Sequence, residues 1–306
     1  MRNEGDAWTY LSDAVGRYFQ QVLTLKAEPE QWPEPPASIH AVDPAAIPSR
    51  VRDLIGGVCL DMVSLLGRRT AELHLALASL SHDAAVRPEP FSMLYQKSVC
   101  QSMRALTLRV FGEVEKGVSA LPDALAADVH TILGARKTVL GRFSGITRRK
   151  ISALKIRVHG DYHLGQVLYT GKDFVIIDFE GEPARSLGER RLKRSALRDV
   201  AGMIRSFHYA AWAAIFRTST YDEDQAYLQR WADLWYLYVS GVFLQAYLEG
   251  VGPSDILPQA PTELQMLLDA FLLEKAVYEL GYEFNNRPDW LPIPVRGIQH
   301  ILKDTL

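Results

Sequence analysis

The chain has 306 residues, of which 48% are hydrophobic and 23% are charged, and its formal net charge is −2. This composition is typical of a globular protein with a sizeable core, and the near-neutral charge excludes a general attraction to nucleic acid or to an anionic membrane surface. The first residues are polar, unlike a signal peptide, and no apolar run approaches the length of a membrane span. We therefore expect a cytoplasmic protein.

The first half of the chain shows helical patterns interrupted by proline. Apolar residues recur at helical spacing over residues 6–25, and the proline-rich residues 28–48 form a connector that excludes a long helix or a central strand. Cys59 and Cys100 both lie in apolar helical contexts, which favours buried, reduced thiols over a disulfide or a site. The same pattern predicts further helices over residues 49–80, 92–118 and 122–141.

A β-hairpin is predicted near the middle of the chain. Residues 167–169 and 174–177 are short β-branched or aromatic runs joined by a polar turn that contains glycine. Asp161 and Gln166 precede the first strand, and Asp178 follows the second. Because antiparallel pairing returns Asp178 to the end at which Asp161 lies, we expect two carboxylates and one amide oxygen to converge there.

These three side chains have the chemistry of a magnesium and phosphate site. Hard oxygen ligands with room for water suit Mg²⁺ rather than Zn²⁺. We predict that Asp161 is the catalytic base, because phosphoryl transfer to a hydroxyl needs a carboxylate that orients the hydroxyl and takes its proton. Gln166 and Asp178 are the predicted metal ligands. The alternatives are an ordinary Gly-Asp turn for Asp161 and a hydrogen-bonding loop residue for Gln166.

The rest of the chain again has a helical pattern. A basic run over residues 190–198 is expected to be mostly solvated or salt-bridged. We predict helices over residues 197–214, 222–249 and 262–284, with a last short helix from Pro294. The fold class is therefore mainly α. We expect one lobe over residues 1–306 with three parts. These are a helical part at 1–150, a hairpin with the catalytic and metal loops at 151–188, and a second helical part at 189–306.

Three polar residues near the hairpin and after it have competing interpretations. His159 and His163 are four apart, but the glycines at 160 and 165 argue against the helix that a metal-binding pair at this spacing needs. Asp199 lies at the start of a predicted helix, where a carboxylate caps free N–H groups. That position indicates a structural role for Asp199.

A cationic and aromatic stripe lies on the helix predicted over residues 262–284. Lys275, Tyr278 and Tyr282 share one helical face, at positions i, i+3 and i+7. Such a stripe is usually part of a core. Tyrosine rings beside a cation also suit a sugar site, where rings pack on the sugar faces and polar tips bond the hydroxyls. The aromatic residues before it are interpreted as core or rim: Trp212, Trp231, Trp235, Tyr236 and Tyr238.

The catalytic motifs resemble those of a known superfamily. His159-Gly160-Asp161, followed by Asp178-Phe179-Glu180-Gly181, resembles the catalytic and metal loops of phosphotransferases with the protein-kinase-like fold, such as aminoglycoside and choline kinases. Gln166 stands where that superfamily has asparagine. Together with residues 66–74, 189–211 and 286–290, the motifs resemble maltokinase in particular, and the likeness covers nearly the whole chain.

The resemblance implies an enzyme that uses ATP and Mg²⁺ to convert maltose to maltose 1-phosphate, often linked to a trehalose synthase domain in the conversion of trehalose to α-glucan and glycogen. It implies that Lys275, Tyr278 and Tyr282 bind maltose, and that His163 positions the substrate or the loop. It further implies that His159 is a buried scaffold of the catalytic loop and that Asp199 holds the backbone of this loop.

The resemblance also implies the helical C-terminal lobe of a kinase-like fold. A complete enzyme of this class has an N-terminal β lobe with a lysine that contacts the nucleotide phosphates. No strand-rich stretch of this sequence matches that lobe. We therefore expect the helical lobe alone, with little or no turnover.

Two other functions stay open. Without a lobe that covers the nucleotide, the chain would be a module that binds maltose or a partner enzyme without catalysis. Gly160-Asp161-x-His163 also partly resembles the first metal motif of metallophosphoesterases. Those enzymes need further metal motifs with Asn and His downstream, and this sequence has no such pair.

Overall fold

The computed structural model describes residues 4–25, 32–80, 83–183, 186–218 and 222–303. Helices dominate, and the strands within this part form two small antiparallel pairs. The helices are α1 (Ala7–Leu25), α2 (Ser49–Ile55), α3 (Gly57–Ser79), α4 (Met93–Gly117), α5 (Asp123–Gly134), α6 (Arg136–Gly145), α7 (Leu187–Arg190), α8 (Leu197–Thr218), α9 (Asp222–Val251), α10 (Pro261–Asn286) and α11 (Pro292–Leu302). The strands are β1 (Glu89–Pro90), β2 (Leu154–Lys155), β3 (Val167–Tyr169) and β4 (Phe174–Ile176). The predicted mainly α class is confirmed.

The chain folds as two compact units, each assembled from three segments. The first unit comprises Met1–Arg87, Arg157–Leu192 and Ser206–Ser254. The second unit comprises Pro88–Ile156, Lys193–Arg205 and Asp255–Leu306. The predicted parts, with boundaries at residues 150 and 188, are continuous in sequence, whereas each compact unit combines three separate segments. The predicted division stays a prediction.

Helix-on-helix packing forms the core of the first unit. Helix α3 packs along α9, and Gly67 permits the close approach, since a Cβ there would lie 2.5 Å from the carbonyl oxygen of Phe243. The core interpretation of the aromatic residues is confirmed, because all five are buried in this unit: Trp212, Trp231, Trp235, Tyr236 and Tyr238.

The predicted single helix over residues 49–80 is wrong, because Gly56 divides it. Gly56 has a φ of 91° and its N–H donates to the carbonyl oxygen of Arg52 at 2.9 Å, which ends α2. Glycine adopts this conformation without the steric penalty of a side chain. Helix α3 begins at the next residue. The apolar periodicity continues across the break, so the pattern alone does not reveal it.

The predicted hairpin is confirmed and lies in the first unit. Strands β3 and β4 pair antiparallel, with Val167 opposite Ile176 and Tyr169 opposite Phe174. Residues 4–6 pair with the outer edge of β3, where the Glu4 N–H donates to the carbonyl oxygen of Tyr169 at 2.9 Å. The hairpin is thus tied to the segment that leads into α1.

The second unit is built around α10, which packs against α4 and α11. The predicted helix over residues 122–141 is wrong in its extent, because α5 and α6 meet at Ala135, whose ψ of 7° leaves the helical range. Strands β1 and β2 form a pair that the sequence did not predict. They are two residues long and far apart in the chain, so neither carries a strand pattern.

The two cysteines are free, but they differ in exposure. Cys59 is buried, and burial raises the pKa of its thiol to about 12, which fits the predicted inert thiol. Cys100 is only half-buried, so the prediction of burial is wrong for this residue. Of the helices that the structure describes, none combines the length and the apolar character needed to cross a bilayer.

Candidate active site

His159 joins the loop of Asp161 to the end of strand β4. Its side chain is 1% exposed, and its Nε2 lies 2.7 Å from the carbonyl oxygen of Ile177. The Asp161 N–H donates to Nδ1 of His159 over a long distance of 3.4 Å. Because Nδ1 accepts this hydrogen bond, the ring proton is on Nε2, which donates a hydrogen bond to the carbonyl oxygen of Ile177. A neutral imidazole therefore connects the residue before Asp178 to the backbone of Asp161.

Two glycines bring the same two loops into close contact. Gly160 has a φ of 89° and Gly181 a φ of 76°. A Cβ at Gly160 would lie 3.4 Å from the Cα of Gly181, so the loop before Asp161 passes directly beside the loop after Asp178. Both conformations favour glycine. The two glycines therefore allow the close approach of the two loops that the hairpin pattern predicts.

Asp178 has an unusual backbone. Among the described residues it is the one non-glycine residue with a positive φ, at 62°, and its side chain is exposed. Such a conformation costs on the order of 1 kcal/mol and persists where the surroundings hold it. Strain of this kind is concentrated at functional sites, which supports the selection of Asp178 as a site residue.

Gln166 lies at the same end of the hairpin as Asp178. It ends a short 3₁₀ turn, in which its N–H donates to the carbonyl oxygen of His163 at 2.9 Å. The carbonyl oxygen of Gln166 accepts from the N–H of Ile177 at 3.0 Å. The structure therefore places the backbones of Gln166 and Asp178 next to each other, while the ligand role of each side chain stays a prediction.

His163 lies beside the proposed base. Its Nδ1 accepts from the N–H of Gly165 at 3.1 Å, and its Nε2 lies 3.9 Å from Oδ2 of Asp161. The side chains of His163 and Asp161 are 42% and 19% exposed, so both reach solvent. Because Nδ1 accepts, the proton on Nε2 faces Asp161. His159 and His163 therefore contact different atoms of Asp161, the backbone N–H and the carboxylate, and they do not pair on a helix, as predicted.

The structure adds anchors that sequence reasoning missed. The hydroxyl of Tyr162, next to Asp161, lies 2.8 Å from Oγ1 of Thr70 on α3, and both side chains are buried. The N–H of Leu164 donates to Oγ of Ser206 on α8 at 3.1 Å. The signal for Tyr162 is its position beside Asp161, the predicted base. For Thr70 and Ser206, the only signal was their membership in segments that resemble the maltokinase pattern.

Asp199 and the basic run lie in the segment that enters α8. Asp199 is 2% exposed in the first turn of this helix, as predicted, and its role in holding the catalytic loop stays a prediction. Lys193 is also buried, where its Nζ lies 2.6 Å from Oε1 of Glu89. Arg198 pairs with Glu274 at 3.1 Å. The expectation of salt bridges is therefore confirmed for Lys193 and Arg198.

The stripe on α10 is largely at the surface rather than in the core. Lys275 and Tyr278 are half-buried, with the ammonium 5.0 Å from the centre of the tyrosine ring, and Tyr282 is 47% exposed. The guanidinium of Arg287 lies 5.4 Å from the ring centre of Tyr282 and 4.8 Å from that of Trp290. Arg287 and Trp290 are thus additions to the predicted face, and the binding of a sugar there stays a prediction.

The residues around Asp161 fit a magnesium ion that nucleotide phosphates help to hold. In the part of the chain that the structure describes, no group of three or more His, Cys, Asp or Glu side chains is suited to hold a metal on its own. The predicted ligands are all oxygens, and Asp178 is exposed on a backbone held by its neighbours. Phosphate oxygens and water would complete the shell, as is usual for Mg²⁺.

The chain is similar in sequence to glucosamine kinases. It is 24% identical to the glucosamine kinase of Streptacidiphilus jiangxiensis over 244 residues, which are 79% of this chain and 49% of the relative. It is 27% identical to the glucosamine kinase of Mycolicibacterium smegmatis (strain ATCC 700084 / mc(2)155) over 267 residues, or 86% of this chain and 57% of the relative. The chain thus spans about half the length of these relatives. No protein-family model matches it.

Solved glucosamine kinases share the fold. One, in crystal form B, matches 98% of this chain and 59% of its own with a TM-score of 0.70 and 21% identity. Another, in complex with glucosamine, ADP and inorganic phosphate, matches 97% of this chain and 57% of its own with a TM-score of 0.67 and 21% identity. The predicted kinase-like fold is therefore confirmed. The relatives are sugar kinases, and they give no support to maltose in particular.

Proposed function

We propose that this chain is the helical catalytic part of a sugar kinase that uses ATP and Mg²⁺. One observation carries the proposal: His159 bonds both the loop of Asp161 and the strand that leads to Asp178, whose backbone is held in the left-handed region. This arrangement keeps a candidate base and a candidate metal ligand at a fixed separation. The sugar kinases among the relatives support the same kind of reaction.

Asp161 is the proposed general base. It would orient the acceptor hydroxyl of the sugar and take its proton while the new bond from oxygen to the γ-phosphorus forms and the bond to the ADP oxygen breaks. His163, with Nε2 at 3.9 Å, would stabilise the carboxylate of Asp161 before the proton arrives. Asp178 and Gln166 would hold Mg²⁺, which neutralises charge on the phosphates when it is bound.

The sugar itself has two candidates. The maltokinase resemblance favours maltose, phosphorylated to maltose 1-phosphate by a polypeptide that is linked to a trehalose synthase domain. The names of the relatives favour glucosamine. We propose that Lys275, Tyr278 and Tyr282 bind the sugar in either case, because their partly accessible rings and cation offer both apolar faces and hydrogen-bond groups.

ATP-dependent phosphorylation of maltose and glucosamine, against glucose and trehalose, tests the proposal. The assay is run on this chain and on the full gene product, each with Asp161→Asn. We expect the full product to phosphorylate one sugar, and Asp161→Asn to lower the rate by about 10²- to 10⁴-fold. Asp13→Asn, which changes an exposed aspartate on α1, is the control and should keep the wild-type rate.

Two outcomes would contradict the proposal. Sugar binding without phosphorylation of any sugar by the full gene product would favour a binding module. An unchanged rate in Asp161→Asn would leave the kinase function but remove the base assignment.

A further inference from the structure

One turn of helix α3 contacts both segments that carry the proposed site. Arg69 and Thr70 are adjacent on this helix. Arg69 bonds Asp173 in the turn between β3 and β4, and Thr70 bonds Tyr162 in the loop of Asp161. All of these residues belong to the first unit. We call Arg69, Thr70, Tyr162 and Asp173 the α3 brace.

The contact between Arg69 and Asp173 is bidentate. Nε of Arg69 donates to Oδ1 of Asp173 at 2.9 Å, and Nη2 donates to Oδ2 at 3.0 Å. The remaining Nη1 donates to both carboxylate oxygens of Glu72 at 2.8 Å. Glu72 therefore fixes the guanidinium from the other side. Two parallel bonds define the orientation of a carboxylate as well as its distance, which a single bond does not.

Asp173 also organises the hairpin turn. Its Oδ1 accepts from the N–H of Phe174 at 2.8 Å, and its carbonyl oxygen accepts from the hydroxyl of Thr170 at 3.0 Å. The hydrogen bonds from Arg69 hold the pKa of the Asp173 carboxyl below its usual range, so the pair stays charged near neutral pH. Arg69 thereby fixes the closed end of the hairpin, and the rigid ladder of β3 and β4 leads from there to Gln166 and Asp178.

The contact at Thr70 is buried. Its hydroxyl donates to the carbonyl oxygen of Leu66 at 2.8 Å, so the hydroxyl of Tyr162, 2.8 Å away, donates to Thr70. Tyr162 is 3% exposed, and its ring lies 5.3 Å from the ring of His159. The same turn of α3 therefore holds the loop of Asp161 through a side chain directly beside the proposed base.

We propose that Arg69 is a positioning residue, which sets where Asp178 and Gln166 stand relative to Asp161 by fixing the hairpin to the helix that also holds Tyr162. This inference rests on the proposed function. It concerns geometry rather than folding. The side chains of Arg69 and Asp173 are 33% and 36% exposed, and ion pairs at such exposure contribute little to stability.

Mn²⁺ binding tests the brace, because it reports on the ligands without any need for turnover. Mn²⁺ is titrated into the whole chain in the presence of ADP, whose phosphate oxygens complete the metal shell, and bound metal is detected by electron paramagnetic resonance after subtraction of the same mixture without protein. We expect Asp178→Asn to abolish measurable binding. Arg69→Met should weaken binding on the order of tenfold, the lower end of the effect of substitutions outside the ligand shell. Arg69→Lys keeps the charge but loses the bidentate geometry and should fall between Arg69→Met and wild type.

Arg109→Met is the matched control. Arg109 makes an exposed ion pair with Glu113 within α4, at 3.4 Å, so its loss removes a pair without touching either loop. Wild-type Mn²⁺ binding is expected in this variant. The midpoint of thermal unfolding is measured for every protein. If Arg69→Met unfolds at the assay temperature, Asp173→Asn replaces it, since asparagine preserves the shape of the turn but weakens the pair.

The outcomes separate the two proposals. If Asp178→Asn binds Mn²⁺ as wild type does, the metal site of the proposed function is wrong and the brace inference falls with it. If Asp178→Asn loses binding while a folded Arg69→Met or Asp173→Asn keeps wild-type affinity, the site stands and the brace is overturned. A loss of affinity in both Arg69→Met and Arg109→Met would also overturn it, because the effect would then be one of net charge.

Discussion

The proposed site aspartates of the first unit and the buried glutamates of the second unit have opposite surroundings. On α10, three glutamates are buried, and each is paired with an arginine: Glu274 with Arg198, Glu279 with Arg205 and Glu283 with Arg287. In the first unit, Asp178 is exposed and Asp161 is 19% exposed. The backbones of these two aspartates are connected through a neutral imidazole rather than through a cation.

The difference shows which carboxylates stabilise the fold and which are available for chemistry. A buried charge needs a partner, because an uncompensated charge in a protein interior costs several kcal/mol. Once it is bound by arginine, a glutamate has little capacity left for a ligand. An aspartate that reaches solvent from a strained backbone keeps that capacity. Removing the charge of Asp161 or Asp178 should therefore affect activity, and leaving one of the three buried glutamates without its arginine should affect stability.

Asp178→Asn is expected to have the largest effect. Asparagine tolerates the positive φ, so the variant should fold, while the loss of a charged metal ligand should lower sugar phosphorylation by about 10³-fold. Steady-state assays and thermal unfolding measure the two effects. Glu180→Gln removes an exposed carboxylate two residues away and is the control. An equal loss of activity in Glu180→Gln would assign the effect to local charge instead of ligation.

Gly297→Ala should have the next largest effect, which is a loss of stability rather than of activity. A Cβ at this position would overlap the guanidinium of Arg205, which is 1% exposed and bound to Glu279 at 2.8 Å. Displacing the arginine leaves a buried glutamate uncompensated, so we expect a loss of about 3–5 kcal/mol in the free energy of unfolding, measured in urea. Gly112→Ala has open space around the new Cβ and should be neutral or slightly stabilising. Equal stability of the two variants would refute the argument.

Tyr282→Ala extends the comparison to the exposed face of α10. The side chain is 47% exposed, so the free energy of unfolding should change by less than about 0.5 kcal/mol. Loss of the ring should raise the KM for the sugar on the order of tenfold, which corresponds to about 1.4 kcal/mol of binding. Leu94→Ala removes an exposed apolar side chain from α4 and should leave KM unchanged. An unchanged KM in Tyr282→Ala would remove this face from the sugar site.

Glu89→Gln should have the smallest effect. Hydrogen bonds from Lys155 and Lys193 lower the pKa of Glu89 from 4.5 to about 2. Because the pKa is lower in the folded state, the pair stabilises the protein above pH 4.5, and this contribution is lost as the pH falls towards 2. Glu89 is 46% exposed, and the glutamine keeps an oxygen that can accept from the buried Lys193, so we expect less than about 1 kcal/mol. Urea unfolding at several pH values measures this contribution. The same dependence of the free energy of unfolding on pH in wild type and in Glu89→Gln would contradict the prediction.

The parts of the site that the sequence predicts are those whose signals are local. The hairpin follows from strand patterns and a turn within a dozen residues, and its register places Gln166 beside Asp178. The sequence does not decide whether Tyr282 lies at the surface, because a stripe at helical spacing has the same pattern whether a neighbouring helix covers it or not. Only the packing of α10 decides between these alternatives.

The missed features depend on pairings between distant residues. Lys193 appears in the sequence as one member of a basic run, and nothing there indicates that it pairs with Glu89, 104 residues earlier. Arg69 and Asp173 are equally far apart in the chain. Strands β1 and β2 are too short for any periodicity. Charge pairs and short bridges of this kind leave no pattern in a single sequence.

The segment at residues 4–6 covers the outer edge of strand β3. An open strand edge exposes backbone N–H and carbonyl groups that can pair with another chain. Along β3, these groups are already used: the Glu4 N–H bonds the carbonyl oxygen of Tyr169, and the Tyr169 N–H bonds that of Gly5, both at 2.9 Å. At this edge the N–H and carbonyl groups of Tyr169 are therefore not available to pair with a strand of another chain.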